Sequence, residues 1–350
     1  MNLSRLALVG FGSVGQGLAQ ILQEQGNSIA ERFDIRFSIV AVSTLSRGSV
    51  YDPNGLPLDL LLGAAAGSDL TGVPAVEYGW SVETIIDEGI ADTLVEVSYT
   101  DLQTGEPALS YIRRAIKNSK HIVTANKGPI ALCLPDLRQL ARANKVRIGF
   151  EGTVMSGTPA LAVGKDLLTG AGINRVQGIF NGTTNFILTQ MENGSSYEEA
   201  LADAQSRGYA EADPTGDVEG YDTAGKVVIL GNLLLDSALT MADIDREGIT
   251  GLTLDDIQKA KVKGTRWKLI GTVEKVDAEV VASVRPMKIP VQHPLASVSG
   301  VTNAVIYSTA LLGDITLIGP GAGPRETGYA LINDLLAIHN CAFTDPCINL

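Results

Sequence analysis

The most restrictive stretch of this sequence is its start, where Leu6-Ala7-Leu8-Val9 runs without a polar residue into Gly10-Phe11-Gly12-Ser13-Val14-Gly15. A short, wholly apolar run has the composition of a strand buried on both faces of a parallel sheet. Gln16 to Gln25 then reads as a helix, with Gly26 as its stop. As a bare pattern G-x-G-x-x-G is weak. Between a strand and a helix it is the turn that lets a pyrophosphate approach a helix N-terminus. The stretch therefore predicts an α/β fold with a doubly wound, Rossmann-type sheet. Gly10, Phe11, Gly12, Ser13, Val14 and Gly15 line its dinucleotide site; the alternative is a plain glycine-rich turn.

The second strand is read at Phe37 to Val42. A site for NAD ordinarily carries an acid at the end of this strand, where it bonds the adenine ribose hydroxyls. Here the tip is Ser43-Thr44-Leu45-Ser46-Arg47-Gly48, with hydroxyls and an arginine but no acid. Thr44 and Arg47 suit a 2′-phosphate, so NADP is expected as the preferred cofactor and NAD as the alternative. Asp52 to Gly79 reads as loop, short helix and loop, and Ser81 opens the next helix. Thr93 to Ser98 and His121 to Thr124 read as further strands, with a helix from Pro107 to Asn118 between them. Thr100 and Lys127 follow the carboxyl ends of those strands, where open α/β sheets bind ligands. Lys127 is thereby expected on the nicotinamide side. A helix from Leu134 to Asn144 and a strand from Val146 to Phe150 complete a first domain.

Beyond it, Ala160 to Leu168 reads as a helix and Val176 to Phe180 as a strand, followed by the small polar turn Asn181-Gly182-Thr183-Thr184-Asn185. Ser196 and Glu199 have capping-box spacing for a helix ended by Gly208. Thr265 to Val273, Ala278 to Pro286 and Ala304 to Leu317 read as strands of a mixed sheet. A glycine-rich turn, Gly319 to Gly323, leads into a last helix, Pro324 to Ala337. The expected organisation is a dinucleotide domain over 1–150, completed by 318–350, and an α+β substrate and dimerisation domain over 151–317.

The densest ionisable cluster lies at Glu211, Asp213, Asp217, Glu219, Asp222 and Lys226, directly before a long apolar segment. Val218 to Leu235 reads as one helix, which puts Asp222 and Lys226 on a common face with Glu219 one turn earlier. A capped helix with Asp217 as N-cap and an exposed ion pair is the plain reading. The alternative is a group of carboxylates and one amine at the polar mouth of a buried helix.

Charge and composition exclude several classes. A net charge of −12 argues against a nucleic-acid surface. No apolar run reaches the roughly 18 residues that span a bilayer, and Met1 leads almost directly into the first strand, with no room for a signal peptide. Cys133, Cys341 and Cys347 are at no metal spacing and argue against a disulfide framework. His121, His293 and His339 form no zinc motif. A cytoplasmic protein, with no nucleic-acid or membrane partner, is expected.

Taken in order, GFGSVG (10–15), GEPALSYIRRAI (105–116), HIVTANKGPIAL (121–132), NGTTNFIL (181–188), YAEADPTGDVEGYDTAGK (209–226) and GPGAGPRETGYA (319–330) resemble homoserine dehydrogenase over nearly the whole chain. The resemblance implies reversible NAD(P)-dependent interconversion of L-homoserine and L-aspartate 4-semialdehyde, in the synthesis of threonine, methionine and isoleucine. It implies Lys226 as proton donor and acceptor, Glu211, Asp217 and Asp222 as substrate-binding acids, and Lys127 beside nicotinamide and substrate. It further implies Gly323 near the cofactor and a homodimer or higher homo-oligomer. A sodium or other monovalent ion is implied at Glu151, Val154, Ser156 and Thr158, where the local VMSGTP is bulkier than the family's usual glycine-rich version. The match is to the short form, without a regulatory ACT domain or fused kinase. Two competing readings are a dehydrogenase of a related amino acid, such as aspartate, and a dinucleotide sensor that has lost turnover. The retained Lys127, Glu211, Asp217, Asp222 and Lys226 argue against the second.

Overall fold

The computed structural model describes residues 1–65, 67 and 69–340; Cys341 and Cys347 lie outside the described residues. The chain divides into two compact units, Met1–Gly157 together with the segment from Gly323 onward, and Thr158–Ala322.

The first unit is built on β1 (Asn2–Val9), α1 (Ser13–Phe33), β2 (Ile35–Thr44), β3 (Gly48–Tyr51), α2 (Leu58–Ala65), β4 (Glu77–Tyr78), α3 (Val82–Glu88), β5 (Thr93–Glu96), α4 (Ala108–Lys117), β6 (His121–Thr124), α5 (Lys127–Ala143) and β7 (Ile148–Gly149). Its sheet runs β4-β3-β2-β1-β5-β6-β7. β1 is parallel to β2 and β5, and β5, β6 and β7 continue in parallel. β3 turns back antiparallel on β2, and β4 on β3. Leu6 and Leu8 of β1 are buried with Leu18 and Leu22 of α1 and Val95 of β5, each such side chain contributing about 1.5–3 kcal/mol. The C-terminal helix, Pro324–His339, adds Leu331 and Leu335 to this core. It lies close enough to α1 that a Cβ on Gly17 would meet the Pro324 carbonyl at 2.0 Å.

Several boundaries differ from the sequence reading, each for a physical reason. α1 passes through Gly26 and ends at Phe33, because Ile29 and Ala30 prolong its buried face. Burying those two outweighs the roughly 1 kcal/mol that a mid-helix glycine costs. β4 falls within the stretch read as loop, and β3, just before it, was not read; the two pair in turn onto β2. α5 starts at Lys127, not Leu134: the Asn126 side chain accepts from the Gly128 amide at 3.1 Å and caps it. The irregular turn at Cys133 precedes Pro135, whose ring cannot donate to the helix ladder.

The second unit contains α6 (Ala160–Ala162), which continues as a π-type turn over Val163–Leu167, then β8 (Ile173–Ile179), α7 (Gly182–Glu192), α8 (Tyr197–Ser206), α9 (Thr215–Val218), α10 (Tyr221–Leu234), β9 (Asp245–Arg246), α11 (Leu254–Val262), β10 (Thr265–Val276), β11 (Glu279–Pro290), β12 (Thr302–Thr309) and β13 (Gly313–Pro320). Its sheet runs β13-β12-β8-β10-β11-β9, antiparallel except where β9 pairs with β11. The Ser196–Glu199 capping box is formed at the start of α8. β9 and α11 were not read from the sequence.

α10 lies on β10 and β11: a Cβ on Gly271 would meet Val227, and one on Gly220 would meet Val284. Every residue from Thr223 to Leu233 is buried, as expected of a helix surrounded by protein. The single helix read from Val218 to Leu235 is instead two, because Gly220 takes a left-handed φ of 80°. Asp217 accordingly sits inside α9 and caps nothing. Glu219 turns away from Lys226, its carboxylate accepting from the Thr250 hydroxyl at 2.8 Å. No helix among the described residues is long and apolar enough to cross a membrane.

Candidate active site

In the first unit the loops after β1 and β5 flank the point where strand order reverses, which is where open α/β sheets take ligands. Gly10 has a φ of 96°, and a Cβ there would lie 2.4 Å from the Val97 carbonyl oxygen, so only glycine fits. Gly15 is equally confined, with the Gly10 carbonyl 2.9 Å from where a Cβ would stand. Gly12 is exposed and has nothing within 4 Å of that position. A loop tight against the protein at two glycines and open at the middle one, leading into α1, fits a pyrophosphate. Phe11 is buried, whereas Ser13 is exposed and Val14 half-buried at the first turn of the helix.

The tip of β2 supplies an arginine to the same loop, with Arg47 Nη1 donating to the Phe11 carbonyl at 3.3 Å. The Thr44 hydroxyl is used within the turn. It accepts from the Arg47 amide at 2.8 Å and donates to the Gly48 carbonyl at 3.1 Å. Thr100 is exposed beyond β5, and Lys127 is half-buried as the first residue of α5. Gly323 precedes the C-terminal helix, where its carbonyl accepts from the Thr327 amide and hydroxyl at 2.9 and 2.8 Å.

Of the proposed cation residues, Glu151 is buried in a single 3-10 turn. Val154 is buried too, and the Ser156 hydroxyl is paired with that of Thr327 at 2.7 Å. Met155 and Ser156 both take positive φ, 58° and 54°, a region that favours glycine over bulkier residues. Thr158 belongs to the second unit, where its hydroxyl donates to the Pro320 carbonyl at 2.9 Å. Among the described residues, no three His, Cys, Asp or Glu side chains are grouped to hold a metal ion.

In the second unit the ionisable cluster assembles around one asparagine. Lys226, 7% exposed, donates to Asp222 Oδ2 at 2.6 Å and to the Phe180 carbonyl at 2.5 Å. Asn181 caps α7 through its oxygen, which accepts from the Thr184 amide at 2.8 Å. That bond turns its NH₂ group toward the acids, where it donates to Asp217 Oδ1 at 2.7 Å and Asp222 Oδ2 at 3.0 Å. Burial raises the Asp217 carboxyl above its usual range and the neighbouring Asp222 charge adds to this. Bonds from Asn181 and Thr183 and the Lys226 charge oppose it. Glu211 stands apart, exposed on the loop before α9.

So Asp217, Asp222 and Lys226 converge in the second unit, and the glycine loop and Arg47 converge in the first. Asn181, which orders the acid pair, was not singled out from the sequence. Its only sign there was its place at the head of a dense small-polar turn. An ammonium has three donors; two on Lys226 are held by Asp222 and Phe180, which leaves a third for a substrate oxygen.

Residues 10–151 match the model of the homoserine dehydrogenase NAD-binding domain, and residues 159–336 match that of homoserine dehydrogenase itself. The chain belongs to the homoserine dehydrogenase family. It is 46% identical over 345 residues to an NAD(+)-dependent homoserine dehydrogenase of Pseudomonas canavaninivorans, covering 98% of each chain. Among solved structures it resembles a putative homoserine dehydrogenase from Archaeoglobus fulgidus at 36% identity and a TM-score of 0.86, over 96% of this chain and 99% of that one. A hyperthermophilic archaeal homoserine dehydrogenase mutant in complex with NADPH aligns at 29% identity and a TM-score of 0.82, over 96% and 98%. Homoserine dehydrogenases are NAD(P)-dependent oxidoreductases acting on a CH–OH group, and this chain is an enzyme of that class.

Proposed function

We propose that Lys226 is the general acid and base for reversible interconversion of L-aspartate 4-semialdehyde and L-homoserine. The observation that carries the assignment is the buried ammonium held by Asp222 and the Phe180 carbonyl, with one N–H uncommitted. When bound, the nicotinamide supplies or accepts the hydride. In the reducing direction Lys226 gives a proton to the aldehyde oxygen; in the oxidising direction it takes the hydroxyl proton. Asp222 and the Phe180 carbonyl fix the amine, and Asn181 fixes Asp222. Asp217 and Asp222, with Glu211 on its loop, supply the negative groups that a substrate ammonium needs. Lys127 is the cation for the substrate carboxylate. An aspartate dehydrogenase reading is weaker, because the matching family model and the Pseudomonas canavaninivorans relative are both homoserine dehydrogenases.

For the cofactor, the guanidinium at the glycine loop and the absence of an acid at the tip of β2 support NADP. The NAD reading is favoured by the name of the Pseudomonas canavaninivorans relative. The deciding assay is reduction of NADP and of NAD by the purified enzyme with L-homoserine, beside Arg47→Ala. Loss of a charge-assisted bond to phosphate is worth about 1.5–3 kcal/mol. The expected result is therefore a rise of about 10–100-fold in KM for NADP, with NAD little affected. Efficient use of NAD by the wild type, with NADP kinetics unmoved by the substitution, would reverse the preference. The buried Glu151 carboxylate offers the kind of oxygen donor that a hard cation takes. Running the same assay in sodium and in a bulky organic-cation salt tests that ion.

The exposed apolar side chains Val281 and Ile318 on β11 and β13 are consistent with a homodimer or higher homo-oligomer through the second unit. Light scattering is expected to return at least twice the chain mass; a monomer at micromolar concentration would reject it.

A further inference from the structure

Glu96 closes β5 and is fully buried, yet no step above uses it. An acid almost never occupies such a position without partners, and here the partners lie on both sides of the crevice floor. Glu96 Oε1 accepts from the Ser98 amide at 3.0 Å and is bonded also by the Ser98 hydroxyl. Oε2 meets the Thr124 hydroxyl at 3.3 Å, and that hydroxyl also donates to the Glu96 carbonyl at 2.8 Å. Thr124 Oγ1 in turn accepts from the Asn126 amide at 2.9 Å, and Asn126 donates to the Tyr99 carbonyl at 2.9 Å.

The segment gripped in this way is the one on which the glycine loop rests. The Val97 amide donates to the Val9 carbonyl at 2.8 Å. The Val97–Ser98 peptide presses on Gly10, its carbonyl oxygen 2.4 Å and its nitrogen 2.8 Å from where a Cβ would stand. A shift of that peptide moves the floor of the pyrophosphate turn. We infer that Glu96 is a positioning residue for the nucleotide: its carboxyl braces the Val97–Ser98 peptide beneath Gly10 and ties the loop after β5 to that after β6. Burial pushes this carboxyl above the usual range, against the pull of bonds from Ser98, Asn126 and Thr124. Glutamine keeps the shape, with an oxygen to accept from Ser98 and a second polar atom facing the Thr124 hydroxyl, so it is the faithful replacement. Leucine fills the space without the bonds.

The inference rests on the reading that the nucleotide binds at the loop after β1, and wild-type binding of NADPH and NADH, followed by fluorescence titration, tests that reading separately. With wild-type affinity measured for the tighter of the two, Glu96→Gln is expected within about threefold of it, as befits a conservative swap that keeps the bonds. Glu96→Leu is expected at least about tenfold weaker, the loss of one to two buried hydrogen bonds. The change should appear in cofactor Kd and KM, with the KM for L-homoserine little moved, a split that general loosening of the fold would not give. Wild-type affinity in Glu96→Leu overturns the inference, as does equal loss in Gln and Leu. If the leucine variant does not fold, Ser98→Ala and Thr124→Val each remove one partner hydroxyl. Both are expected to weaken cofactor binding severalfold, and unchanged affinity in both overturns it. Failure of the wild type to bind either dinucleotide would instead reject the nucleotide site itself.

Discussion

Lys226→Ala is expected to lower homoserine turnover about 10³-fold, the middle of the range that a positioned general acid contributes, while the affinity for the dinucleotide stays within a few-fold of wild type. The separation follows from the fold. Lys226 is held in the second unit by Asp222 and the Phe180 carbonyl, whereas the glycine loop and Arg47 belong to the first. Removing the amine also leaves Asp222 without its cation. Loss of one partner of a buried pair is strongly destabilising, but here Asn181 still donates to Asp222 at 3.0 Å. The variant is therefore expected to fold, with a lowered melting temperature. Stopped turnover with retained cofactor binding, checked by fluorescence titration, is the supporting result. Turnover within about tenfold of wild type would remove Lys226 from the chemistry and leave proton transfer to another group.

What could be read from the sequence was what local spacing encodes. The apolar run into GFGSVG set the first strand, turn and helix. Four-residue spacing put Asp222 and Lys226 on one face, and they are bonded at 2.6 Å. What could not be read depends on residues far apart in the chain. Asn181 reaches Asp217 and Asp222 across 36 and 41 residues, and no window contains all three. Glu96 was hidden because it lies inside TLVEVS, where the β-branched neighbours dominate the strand signal and one acid passes as an exposed position. Gly220 was misjudged for a related reason. A glycine can also sit inside a helix, and only its left-handed φ of 80° shows that the chain turns there. Gly26 errs in the opposite direction: a glycine reads as a stop, yet this half-buried one is tolerated inside α1. The family resemblance supplied roles for residues whose geometry the sequence does not contain.

Lys268 gives the largest expected dependence of stability on pH. It is fully buried on β10, where its ammonium donates to the Val298 carbonyl at 2.7 Å and to Asn185 Oδ1 at 3.0 Å. Asn185 in turn donates to the Val298 and Thr302 carbonyls at 3.3 and 3.1 Å, so the amine and the amide together clasp the segment before β12 against α7. Neither partner carries a formal charge. Burial accordingly lowers the lysine from 10.5 to about 8; the Glu192 charge opposes this and Arg266 assists it. Between pH 8 and 10.5 the unfolded chain keeps a proton that the folded chain has given up. Stability therefore rises with pH across that window, by about 3 kcal/mol at 1.36 kcal/mol per pKa unit. Below pH 8 the full cost of the buried charge is present, and above 10.5 it is gone. Lys268→Met keeps the apolar length and removes the proton. The stability of the wild type relative to this variant, from urea unfolding at pH 7.5, 8.5 and 9.5, should climb steadily toward the high-pH end. Parallel pH profiles for the two proteins would mean that the amine reaches solvent or a carboxylate, and that the clasp is held by neutral hydrogen bonds alone.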